Sequence, residues 1–141
     1  MATLSPEVDI AAVLVAATTV FSPALAMDTD IKYGPPRAPL SAGNTARIWI
    51  IPYGGQEPDP LINAAVDGSI YYSKVQIVVR GLVEDYMGSL TLARKIRDAL
   101  HTKHPSTYIS LRALSSEPIY LGIDEINEHR WTISFEAMWR A

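Results

Sequence analysis

His101 and His104 stand three residues apart near the end of a helical pattern, and that spacing lets two imidazoles share a metal ion. A metal site needs at least a third ligand in reach. The simpler reading places both histidines as favourable cations at a helix C-terminus. A second concentration of charge is Asp124, Glu125, Glu128 and His129, within six residues. Its oxygen ligands suit a divalent cation, but the spacing is not that of the D-x-[DN]-x-[DN]-G calcium loop. The segment DEINEH (124–129) therefore reads as the solvated tip of a hairpin. Arg80, on a strand, could bind an anion or pair across an interface; the plainer expectation is a sheet-surface residue with a carboxylate near it.

Other chemistry is absent from the pattern. There is no G-x-S-x-G, no G-x-x-x-x-G-K-[ST], no G-x-G-x-x-G and no H-E-x-x-H. Gly54-Gly55 is a turn signal. The chain has no cysteine, which excludes disulfides and thiolate nucleophiles. Its formal charge is −3, with no run of like charges, so phosphate neutralisation by clustered Lys and Arg is not favoured. These readings imply no enzyme, metal or cofactor.

The elements that would carry these residues follow from periodicity. At 141 residues, the chain is expected to form one domain. The stretch Ile10–Ala26, IAAVLVAATTVFSPALA, looks like the apolar core of a secretion signal with an A-x-A site. The nine residues before it hold Glu7 and Asp9 and no Lys or Arg, contrary to a signal's charge. Ser5 as N-cap, Pro6 at the first helical position and Glu7 in the first turn instead predict a buried helix over 5–21, with Ile10, Leu14, Ala17 and Phe21 on one stripe. Residues 22–45 read as a Pro- and Gly-punctuated linker.

Strands are expected at 46–53, 74–81, 107–114, 118–123 and 130–139, with a long excursion at 54–73. Val75, Ile77 and Val79 share one face of their strand. Trp131, Ile133, Phe135, Ala137 and Trp139 share one face of the last. Residues 84–101 form the clearest helix, its apolar stripe being Tyr86, Leu90, Ala93, Ile96 and Leu100. The result is an α+β fold: a mainly antiparallel sheet of four to five strands with helices packed on one face. Edge strands of such a sheet are pairing templates, and a neighbouring subunit could cover them.

The order KVQIVVRG, then SLTLARKIRDAL, then SSEPIYLGIDEINEHRWTISFEAMW resembles the phage tail terminator, or tail completion (minor capsid), family. The resemblance rests on a vQ-x-x-v-R strand, a helix ending i-x-d-aL and a P-x-x-lG-x-De stretch. Gln76, Arg80, Ile96, Leu100, Pro118, Gly122, Asp124 and Glu125 fall on those positions. It implies a virion protein of the tail–neck region, assembled in the host cytoplasm. Such subunits form a hexameric ring on the head-proximal end of the tail tube, stop tube polymerisation and dock the head connector. Genomic DNA passes through the lumen without specific binding, which a mildly acidic subunit suits. The partners implied are further copies of the chain, the tube protein and a head-completion or connector protein. Another neck or tube subunit, and a small ligand-binding α+β module, are the alternatives. Leu61, Ile62, Tyr71 and Tyr72 are the apolar candidates for contacts, with 54–73 and 22–45 as the contacting segments.

Overall fold

The computed structural model describes residues 5–17, 19–21, 25–26, 30–34, 47–55, 58–60, 68–83, 85–101, 108–123 and 128–140. The elements run α1 (Pro6–Ala16), β1 (Ile31–Tyr33), β2 (Ile48–Pro52), β3 (Asp59–Pro60), β4 (Ser69–Val83), α2 (Tyr86–Leu100), β5 (Tyr108–Ala113), β6 (Ile119–Ile123) and β7 (Glu128–Arg140). All strands belong to one seven-stranded sheet with the path β1-β2-β4-β7-β5; β3 adds to β4 and β6 to β7. Every pairing is antiparallel except β1 with β2. The five expected strands are all present, and β1 and β3 are additions too short to leave a periodic signal.

The sheet is organised around a long β4–β7 ribbon. Val75 faces Phe135, Ile77 faces Ile133 and Val79 faces Trp131 across it, and Ile48 and Ile50 of β2 continue the same rows. This alternation puts all eight side chains on one face, and both helices pack there. Ile10, Ala11 and Leu14 of α1 and Leu90, Ala93, Ile96, Ala99 and Leu100 of α2 join them in a single buried cluster. The opposite face holds a smaller cluster of Trp49 and Val78, with Ile51 packed against it.

Three local expectations change. The helix expected over 5–21 ends at Ala16, because Ala17 leaves helical geometry (φ −80°, ψ 58°) and the run Thr18-Thr19-Val20 is β-branched. The chain then turns, with the N–H groups of Val20 and Phe21 both donating to the Ala17 carbonyl, and Phe21 still reaches the core. Ser5 occupies the N-cap position but its side chain makes no capping bond. The helix expected over 84–101 begins at Tyr86, with Asp85 as its cap, accepting from the Gly88 N–H at 2.9 Å. Lastly, β4 begins at Ser69, so residues 69–73 of the expected excursion are strand, with Ile70–Ser73 held opposite Ala137–Arg140 of β7.

Tyr108 ties α1 to β5. Its hydroxyl donates to Asp9 Oδ2 at 2.5 Å, and burial, together with this bond to a carboxylate, raises the phenol well above its ordinary range. A raised phenol pKa favours the fold while the unfolded phenol keeps its proton; above pH about 10 the unfolded chain loses that proton first, and stability falls as pH rises. Thermal melts from pH 8 to 11.5 are therefore expected to show an alkaline loss that Tyr108→Phe reduces. Equal alkaline slopes for the two proteins would refute this role.

Candidate assembly surface

Among the described residues, exposed apolar side chains concentrate on β6 and the first turn of α2. Ile119 (54% exposed), Tyr120 (42%), Leu121 (44%) and Ile123 (51%) come from β6, and Tyr86 (44%) and Met87 (61%) from α2. Tyr86, Tyr120 and His129 touch one another on the helix side of the sheet, while Ile119, opposite Thr132 in register, lies on the other face; exposed apolar surface of this kind marks an interaction site. One edge of β6 pairs with β7; among the described residues no strand pairs with the other.

The patch is rigidly backed. Tyr120 packs on Trp131 with ring centroids 4.8 Å apart, and Tyr86 meets Trp131 at 5.1 Å and Tyr120 at 5.6 Å. Trp131 is core, and its Nε1 donates to Ser89 Oγ at 2.8 Å, while the Ser89 hydroxyl donates to the Tyr86 carbonyl at 2.8 Å. Tyr120 Oη and His129 Nδ1 share a hydrogen bond of 2.7 Å. The register of β6 shifts between Tyr120 and Gly122, and Gly122 adopts φ +95°, a conformation that side chains disfavour. Preordered aromatic side chains lose little entropy on docking, so this surface suits protein contact.

The residues singled out for chemistry are placed otherwise. His101 caps α2 at its C-terminus, and its Nδ1 accepts from the Ala113 N–H at 3.0 Å, so that nitrogen serves the fold. His104 lies outside the described residues. Among the described residues no three His, Asp or Glu side chains gather as a metal site. Glu128 is not at a solvated tip: it is the first residue of β7 and 1% exposed. Arg80 is not a surface residue either. It is 2% exposed, with its guanidinium 6.0 Å from the centre of the Trp49 ring, because that ring and the strands beside it close over the position. Asp124 and Glu125 lie outside the described residues.

The remaining motif positions serve the sheet and core. Gln76 Nε2 donates to Thr132 Oγ1 across the ribbon at 2.8 Å. Pro118 is buried at the entry to β6, and Ile96 and Leu100 lie in the main cluster. Tyr71 stacks on Trp139 with centroids 4.5 Å apart, and Tyr72, half-buried, occupies the neighbouring position opposite Met138. Leu61 and Ile62 lie outside the described residues. Sequence reasoning did not single out β6 and Met87 as contact residues. The available signal was IYLGI itself, an apolar run without alternation, which by pattern alone reads as a strand buried on both faces.

Comparison with known proteins agrees with the fold. Residues 36–138 match the family model described as bacteriophage tail terminator protein. A chain from a structure entitled "Virion of native gene transfer agent (GTA) particle" superposes with a TM-score of 0.55 at 14% identity, over 96% of this chain and 94% of that one. No curated protein matches. Among the described residues no helix is long and apolar enough to cross a membrane.

Proposed function

Because the chain belongs to the bacteriophage tail terminator family, we propose that it is the subunit of a hexameric ring that caps the head-proximal end of the tail tube. The chain is a structural protein of the phage tail and a component of the virion. The finer reading adds what the ring does: it stops tube polymerisation and gives the head connector its docking face, and no reaction is catalysed.

The observation that supports this reading is the exposed apolar strand β6 with Tyr86 packed on its Tyr120, which lies wholly within the family-matched region. It is a rigid, preformed contact surface rather than a cavity for a small molecule. A terminator must also be two-faced. One ring face copies the growing end of the tube, and the other does not, or growth would continue. Side contacts between ring neighbours are heterologous and close by rotation. The segments 54–73 and 22–45 supply the axial and lateral contacts in this proposal, with Leu61, Ile62, Tyr71 and Tyr72 as the apolar candidates. Of these, Tyr71 already spends one ring face on Trp139.

Electron microscopy of lysates from a phage with a nonsense codon in this gene tests the proposal. Overlong tails without heads, beside filled heads without tails, are the expected result. Normal tails on normal particles would end the terminator reading. Tails of normal length that fail to join heads would instead favour another neck subunit, which shares the assembly logic but not the role of stopping growth.

A further inference from the structure

We propose that the open edge of β6 receives the β1 edge of a second copy of this chain, in antiparallel register, so that one sheet runs on into the next around the ring. The inference rests on the ring reading above and names the surfaces that join its subunits.

The two edges are unlike and lie at opposite sides of the sheet. Beyond β7 the sheet ends in β5 and β6, which share the length of β7; beyond β2 it ends in β1. A contact between two different edges is heterologous and leaves one edge of each kind free at the ends of a chain of subunits. Such a contact closes into a ring by rotation, whereas a self-complementary contact stops at a dimer.

Strand polarity agrees. β1 is parallel to β2, β2 antiparallel to β4, β4 antiparallel to β7 and β7 antiparallel to β6. β6 therefore runs opposite to β1. Rotation about an axis along the strands preserves polarity, so β6 of one subunit meets β1 of the next as an antiparallel pair, the more stable kind.

The side chains complete the case. Natural sheet edges are protected by Lys, Pro or charge, and β6, IYLGI, carries none of these within the strand. Its apolar exposure faces Tyr33, the exposed residue of β1. Charge is complementary. Glu117, largely exposed although it pairs with Arg94, precedes β6, and Asp124 and Glu125 follow it in sequence. β1 carries Lys32, whose ammonium lies 6.0 Å from the centre of the Trp49 ring, with Arg47 leading into β2, while the Asp30 carboxylate is occupied by the Ala26 N–H. Pairing β6 with another β6 would also be antiparallel, but such a contact is self-complementary and would stop at a dimer.

The absence of cysteine allows a direct test by cross-linking in assembled particles. Tyr33→Cys is combined in turn with Ile119→Cys, Leu121→Cys and Ile123→Cys, and purified particles are oxidised. A disulfide needs Cβ atoms within roughly 4.5 Å. At least one double variant is expected to give a ladder of covalent multimers up to the full ring, and no single variant is. Dimers from a single β6 cysteine would overturn the proposal in favour of β6–β6 pairing. Particles that hold several copies but form no cross-link in any double variant would overturn the edge assignment and leave the ring reading standing. Particles holding a single copy would remove the ring reading, and this inference with it.

Discussion

Phe135→Ala is expected to lower the free energy of unfolding by about 3–5 kcal/mol, the range for truncating a fully buried aromatic. Phe135 has no exposed surface and is among the largest fully buried side chains of the molecule. It sits in β7, opposite Val75 of β4 on one side and Ala113 of β5 on the other, and belongs to the single buried cluster shared with both helices, so its loss is felt across the core. The cost has two parts: the transfer energy of the ring, and the cavity that a sheet clamped by flanking pairs cannot close. Against a domain stability of about 5–15 kcal/mol, the loss is a large fraction. Urea unfolding would show it as a fall in midpoint of at least about 1 M with an unchanged slope. Met138→Ala, three residues on and half-buried on the opposite face, serves as the comparison and is expected to lose much less. Equal losses at the two positions would mean that the helix-side cluster is not the core.

Gly81→Ala is expected to destabilise by about 1–3 kcal/mol, the usual cost of overpacking. This is a large effect for one added methyl group. A Cβ at Gly81 would lie 2.3 Å from Ser89 Cβ and 3.2 Å from its Oγ. The clash is with the root of a side chain on α2, and it cannot be relieved by a rotamer change. The helix would have to lift from β4, and with it the hydrogen bond from Trp131 to Ser89 that backs the patch of Tyr86 and Tyr120. A double-mutant cycle with Ser89→Gly isolates the cause. That change removes the obstructing Cβ, so the two substitutions together are expected to cost less than their sum. Additive losses would place the effect of Gly81→Ala elsewhere, in the register shift of β4 between Arg80 and Val83.

How much of this was legible depended on whether a residue's environment was set by its own neighbours in sequence. The alternation from Trp131 to Trp139 names one face of a strand, and all five residues lie in the main cluster. Val75, Ile77 and Val79 are equally plain. The stripe Leu90, Ala93, Ile96 and Leu100 is core as expected, while Tyr86, at its exposed end, turns to Tyr120 and His129 instead. β1 was hidden because three residues cannot display a period, and its strand character comes from pairing with Ile48–Ile50. Residues 69–73 were hidden because SIYYS has no polar alternation of its own; the length of β7 draws it into the sheet.

The α+β class, the single apolar face of the β4–β7 ribbon and the family resemblance, including Gln76, Arg80, Pro118 and Gly122, were determined by the sequence alone. They rest on periods of two and of 3.6 residues, and on short ordered motifs, all of which are properties of the chain taken in line. The burial of Arg80 and Glu128, the role of His101 as an acceptor for β5, and the exposure of β6 were decided only by the tertiary structure. Burial is a property of what lies across from a residue, not of what lies beside it. Pattern makes Arg80 a surface cation and IYLGI an inner strand. Folding reverses both, because Trp49 comes to lie against the first and no described strand covers the outer edge of the second.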